Sequence, residues 1–262
     1  QYANSFQLAL DRTIESLESA ATVTLVSPPA EITAGQPFDV QVRVDNLTGH
    51  KFPTGYAESR RAWIAVSLVD AAGNETPLLG RYDDVTGEIQ ADPPTHVYKA
   101  VHGKWNDTLM VGEPEEHLAL HDMIISDTRI PPAGFVPSTN TMPTAEIDYS
   151  DGNGGYRSFD EATFTLTAPE GASGAYTLSA RVYYQSMTRQ YVEFLRDANT
   201  TNTKGDELEA IYQATGEAPP IQVAAVEAPV TLSGSMGAGG SGGSGGAGAG
   251  GSGATEIGRA HV

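Results

Sequence analysis

Apolar residues recur along the chain at two periods, and each predicts a different element. From Asn4 to about Ala20, Phe6, Leu10, Ile14 and Leu17 fall at three- and four-residue steps with Leu8 alongside, the spacing of an amphipathic helix. The period then drops to two. Thr22 to Val26 reads as a strand, and between Phe38 and Val44 the apolar Phe38, Val40, Val42 and Val44 alternate strictly with Asp39, Gln41 and Arg43. Trp63 to Val69 is β-branched and aromatic, with Ala65 and Ser67 as small alternate positions, and predicts a core strand. Leu78 to Tyr82, Val97 to Val101 and Leu118 to Ile125 are thinner strand candidates. Ala162 to Leu166 and Tyr176 to Tyr184 close the series, the second carrying Tyr176, Leu178, Ala180, Val182 and Tyr184 on one face. Helical spacing returns in Arg189 to Arg196 and Asp206 to Thr215, the latter stopped by Gly216 and Pro219-Pro220.

Turn residues punctuate these runs. Pro28-Pro29, Ala34-Gly35-Gln36-Pro37 and Asp70-Ala71-Ala72-Gly73-Asn74 separate strands, and Pro137 to Arg157 is a long polar loop. Short strands of clean period two between such turns are the pattern of an antiparallel sandwich with one solvated face. The expected fold is therefore mainly β: an immunoglobulin-like antiparallel β-sandwich of about seven to nine strands. One helix leads it, two short helices follow, and Trp63, Val42, Val66, Leu178 and Val182 are expected in its core. Residues 1–21 form the leading helix, 22–232 the sandwich and 233–262 a tail. Ser233 to Thr255 is about half glycine, a linker composition that buries no core and is expected to be disordered. Residues 257–262, Ile-Gly-Arg-Ala-His-Val, match the translation of a sequencing adapter, so His261 is left out of site reasoning.

Charge narrows the function classes. The net charge of −18, with only four lysines, lacks the basic footprint of nucleic-acid binding and opposes anionic membrane surfaces. The absence of cysteine excludes disulfides, thiolate metal sites and a covalent haem, which needs C-x-x-C-H. No apolar stretch reaches the length of a membrane span. The chain begins at Gln1 without Met, and the expectation is that the natural N-terminus lies upstream.

No zincin, serine-hydrolase or Walker signature is present, so no catalytic residue is assigned. His117 and His121 share a face if Leu118 to Ile125 is a strand, but then stand roughly 13 Å apart, too far to chelate one ion. Asp148, Asp151 and Asn153 surround the glycine-rich turn Gly152 to Gly155. Such a loop suits calcium, which takes hard oxygen ligands; the same residues also suit Asx turns that need no ion.

Three blocks carry a family resemblance. N-x-TGHK-x-PTG from Asn46 to Gly55 with RR-x-W-x-x-V from Arg60, then HDMIISDTRIPPAGF from His121, then VYYQSMTRQYVEFL from Val182, resemble a segment near the C-terminus of bacterial multihaem c-type cytochromes. The likeness spans roughly Phe6 to Ile221. It implies a periplasmic or extracellular electron-transfer protein in which haem c is held by a missing N-terminal domain and an unidentified redox partner is served. It further implies that His50 can act as a distal haem ligand and that Arg60 or Arg61 can hold a haem propionate. Read from the residues alone, His50 is equally a turn histidine bonded to a backbone carbonyl, and the arginines suit intramolecular salt bridges. The alternative class is a free-standing immunoglobulin-like adhesion module that recognises a protein or glycan.

Overall fold

A computed structural model of the protein describes residues 2–56, 58–138, 141 and 146–234; the glycine-rich stretch from 235 and the terminal hexapeptide lie outside the described residues. The chain opens with helix α1 (Tyr2–Glu18) and passes into β1 (Ala21–Val26), β2 (Glu31–Thr33) and β3 (Pro37–Asn46). β4 (Arg61–Asp70) and β5 (Glu75–Leu79) follow, then the short β6 (Tyr82–Asp83), β7 (Glu88–Ile89) and β8 (Val97–Tyr98). Next come β9 (Ala100–Asn106), β10 (Val111–Pro114), β11 (Met123–Asp127), β12 (Phe159–Thr167) and β13 (Gly174–Gln185). Helices α2 (Arg189–Ala198) and α3 (Lys204–Ala214) precede the last strand, β14 (Ile221–Ser233). The fold is mainly β, with antiparallel sheets and the leading and trailing helices that the periodicity predicts.

Two sheets face each other across the core. One runs β1-β3-β12; the other runs β2-β14-β13-β4-β5, with β8 beside the start of β4. The alternation in β3 has its expected cause: Val40, Val42 and Val44 are buried, while Gln41 bonds Glu161 at 3.0 Å and Arg43 forks onto Asp45 on the outer face. From the second sheet Ile64, Val66, Leu68, Leu178, Ala180 and Val182 meet them. A smaller sheet, β10-β9-β11, and the β6-β7 pair lie outside these two.

β4 is buried on both faces, and this corrects one expectation. Trp63 is fully buried but does not share the face of Val66, because residues an odd number apart on a strand point opposite ways. On the outer face its ring lies tilted against Tyr82 at 6.0 Å and Tyr183 at 5.7 Å, and its Nε1–H donates to Gly80 O at 2.9 Å. A second correction concerns β14, to which the sequence reading assigns no strand, although it is the longest in the fold. Ala224, Ala225, Ala228 and Pro229 hide its periodicity. Pro229 is tolerated because β2 covers only Thr231 to Ser233, leaving the proline on an open edge. Third, Leu118 to Ile125 is no continuous strand: Leu118–Leu120 is a single 3-10 turn and the strand starts at Met123.

Helix α1 is barely attached. Leu17 packs on the core, whereas Phe6 is 75% exposed and Leu8 and Leu10 also face solvent. No helix among the described residues is long and apolar enough to cross a membrane.

Two expectations follow from this packing. Trp63→Ala leaves a cavity and an unpaired Gly80 carbonyl, and is expected to cost about 3 to 5 kcal/mol in denaturant unfolding; a loss below about 1 kcal/mol would remove Trp63 from the buried set. Amide exchange of the chain is expected to show weak protection over Gln7 to Arg12 and strong protection in β4 and β13, because helical turns without tertiary packing are marginal in water. Equal protection in both would mean that the helix is held by contacts beyond Leu17.

Candidate functional site

The loop between β3 and β4 is tied down from both ends. At the close of β3 the buried Asn46 donates its amide hydrogens to His50 O at 2.7 Å and Ile130 O at 2.9 Å, and its Oδ1 accepts from Thr48 N at 2.8 Å. Phe52 is buried and exchanges backbone hydrogen bonds with Ile130, N–H to O at 2.8 Å and O to N–H at 3.0 Å. Between them Lys51 reaches inward to Asp127, with Nζ 2.7 Å from Oδ2. Arg129 completes the pairing with Nε 2.9 Å from Oδ1 and Nη2 2.8 Å from Oδ2. Burial alone pushes the Asp127 carboxyl up, but the bonds and charges of Arg129 and Lys51 outweigh it and hold it below the usual carboxylate range.

This scaffold decides where His50 goes. With its backbone carbonyl taken by Asn46, His50 is exposed, and its imidazole makes no hydrogen bond among the described residues. The ring is therefore not bonded to a backbone carbonyl, as one sequence reading had it. It borders a cleft of about 390 Å3 that is also lined by Thr54, Gly55, His102, Arg129 and Phe135.

The two arginines divide. Arg60 crosses the loop, its Nη1 donating to Thr54 O at 2.9 Å; Gly55, at φ +88°, leaves room for it, since a Cβ there would collide with the guanidinium. Arg61 opens β4 on the same outer face as Trp63 and is buried, donating from Nε to Gln185 Oε1 at 2.9 Å and from Nη2 to Gly87 O at 2.6 Å. Desolvation by that burial lowers its pKa. Neither arginine makes a salt bridge among the described residues, and of the two only Arg60 stands in the His50 loop.

Asp148, Asp151 and Asn153 form turns of their own. Asp148 Oδ1 accepts from Ser150 N and Asp151 Oδ1 from Asn153 N, both at 2.8 Å, and Asp151 Oδ1 also accepts from Gly155 N at 2.9 Å. These bonds hold both carboxyls below their ordinary pKa and account for the loop's shape as Asx turns.

The structure also assembles groups that sequence spacing does not foretell. Glu58, just before β4, meets His102 from β9 and His121 from the turn before β11. Glu58 Oε1 is 2.9 Å from His102 Nδ1 and 3.4 Å from His121 Nδ1, and the two rings lie 5.1 Å apart. The 3-10 turn is what frees His121 from the strand geometry expected of it, while His117 stays exposed with its ring edge toward Phe194. Elsewhere the buried Asp160 carboxylate accepts from Tyr98 OH at 2.8 Å and faces His96 Nδ1 at 2.5 Å, at the joint between β8 and β12.

Asp127→Asn removes the one anion facing two cations in a buried place, and a loss of about 3 kcal/mol at neutral pH is expected in denaturant unfolding. Because the folded pKa is depressed, the carboxylate's contribution is present above its unfolded pKa of about 3.9 and fades as pH falls through the folded value. The stability of the unsubstituted protein is thus expected to drop more steeply below about pH 4 than that of the Asn variant. Parallel acid limbs would mean that Asp127 is not the titrating group.

No protein-family model matches the chain, and no curated protein does. Among solved structures it is distantly similar to a penta-haem cytochrome c552 from Thermochromatium tepidum, with 16% identity and a TM-score of 0.46 over 83% of this chain. The match spans 41% of that cytochrome. Still more distant are the CARDB domain of the PF1109 protein from Pyrococcus furiosus, at 10% identity and TM-score 0.25, and the sporulation control protein Spo0M from Bacillus subtilis, at 9% and 0.22. They cover 81% of this chain and align with 90% and 49% of their own lengths respectively.

Proposed function

We propose that this chain is the immunoglobulin-like β-sandwich portion of a periplasmic or extracellular multihaem cytochrome, and that it supports electron transfer by packing on a haem-bearing domain and lending it His50. The resemblance of the Asn46 to Gly55, His121 to Phe135 and Val182 to Leu195 blocks supplies the family. The observation that carries the site is the exposed, unbonded imidazole of His50 on a loop fixed at Asn46, Lys51 and Phe52. A haem-ligating histidine would need a free ring nitrogen on a fixed backbone, and His50 offers both. Haem c, bound through cysteines that this chain does not have, supplies reversible one-electron transfer. His50 would lend a nitrogen, and Arg60, whose anchor on Thr54 leaves further guanidinium donors, would face propionate charge. Arg61, spent on Gln185 and Gly87, holds the strand rather than the cofactor. The uncovered apolar face of α1, with Phe6 and Leu10, is the surface that meets the haem domain.

The test uses the haem-bearing protein to which this segment belongs. His50→Ala is expected to alter the absorption spectrum and midpoint potential of a single haem, while His117→Ala leaves every haem unchanged. An unaltered spectrum in the His50 variant would reduce the residue to a turn former. C-x-x-C-H motifs encoded upstream of Gln1 accord with this reading; a signal peptide directly before Gln1 would instead favour the free-standing adhesion module.

A further inference from the structure

We infer that Glu58, His102 and His121 form a mononuclear site for a divalent first-row transition metal, distinct from any haem. His121 is faced by an oxygen at each ring nitrogen. Its Nε2 lies 2.6 Å from the backbone oxygen of Glu115, and a carbonyl only accepts, so Nε2 carries the proton. A neutral ring then has a bare lone pair at Nδ1, and that lone pair faces the Glu58 carboxylate oxygen at 3.4 Å. Either a second proton on the ring or a metal ion must lie between His121 Nδ1 and the carboxylate, in a pocket where Glu58 is 5% and His121 11% exposed, and His102 Nδ1 brings a second ring nitrogen to 2.9 Å from the same oxygen. The carbonyl bond on the far nitrogen is also the support that metal-binding histidines use to fix their tautomer and orientation.

The donor geometry suits such an ion. In a tetrahedral site with Zn–N and Zn–O near 2.0 to 2.1 Å, neighbouring ligand atoms stand about 3.3 Å apart. The two edges from Glu58 Oε1 measure 2.9 Å and 3.4 Å, and all three ligand atoms lie within 4.8 Å of one another. Two imidazoles with one carboxylate favour zinc, cobalt, iron or copper over calcium and magnesium, which prefer oxygen alone. Three protein ligands leave a coordination position open. Beside them lies a cavity of about 200 Å3 lined by Glu58, His102, Lys99, Glu115 and Tyr191, with room for a water or a small anion at that position. The ligands sit on different elements, His102 inside β9 and His121 one residue ahead of β11's first neighbour, and the β9-β11 pairing brings Ile124 opposite His102. The backbone therefore sets the spacing without the ion, as a selective site requires.

The chain is titrated with Co2+ under visible absorption, and with Zn2+ by calorimetry. Saturation at one equivalent is expected, with Zn2+ displacing Co2+ and its bands. Glu58→Gln and His121→Ala are each expected to weaken binding at least tenfold, whereas His117→Ala leaves it unchanged. Absence of stoichiometric binding, or binding that persists in both ligand variants, overturns the site. Nitrogen-15 spectra of the unsubstituted protein give a reading that no folding defect can disturb. Excess Zn2+ is expected to shift the Nδ1 resonances of His102 and His121, and resonances that do not move overturn the proposal. His50 and haem enter none of these measurements, so this site and the haem-ligand reading stand or fall separately.

Discussion

A buried amide cannot be left with unpaired hydrogens, and at Asn46 that constraint organises one end of the molecule. Its side chain sits where β3 ends, too deep for water to serve it, and it takes one partner from the adjoining loop at His50 and one from the distant segment at Ile130. Once those bonds form, the loop has little freedom. Phe52 falls into the core, Lys51 is aimed at Asp127, and His50 is left outside with its ring unengaged. The Lys51–Asp127–Arg129 pairing adds specificity more than stability: buried charges gain little over apolar packing, but they tolerate only one arrangement of the chain.

Polar networks and apolar faces divide the work between them. The inward faces of the two sheets need only be apolar and of fitting volume, and their valines, leucines and isoleucines satisfy that with little directional demand. At the β9-β11 end the interior contains carboxylates, imidazoles and guanidinium groups, each of which must find a partner in a set direction. His102 lies at the meeting of the two clefts there, bordering the His50 cavity on one side and the Glu58 cavity on the other. Chemistry collects where the two facing sheets end.

That division explains what the sequence disclosed. β3 and β13 were legible because strict alternation needs no tertiary information, and α2 because its spacing is local. β14 was not, since alanines and a proline give no face until β13 pairs with it. The burial of Arg61 follows from parity, for it shares the outer face of β4 with Trp63, but only once that face is known to be covered. His50 could be singled out from its loop. Glu58 could not be joined to His102, 44 positions away, nor either to His121, because their meeting depends on strand register and on a 3-10 turn read from sequence as a strand.

The parallel pairing of β2 with β14 joins Glu31 to Thr231 and Thr33 to Ser233, 200 positions apart. Contacts of such separation are reached late, because the chain entropy of closing so large a loop is lost before any contact rewards it. During translation the order of synthesis therefore becomes a constraint on folding. β4 and β13 can pair as soon as both have emerged, but one edge of β13 stays open until the C-terminal strand is made. For that interval the nascent chain displays an unpaired, largely apolar strand edge, the kind of surface that chaperones cover and neighbouring nascent chains can invade.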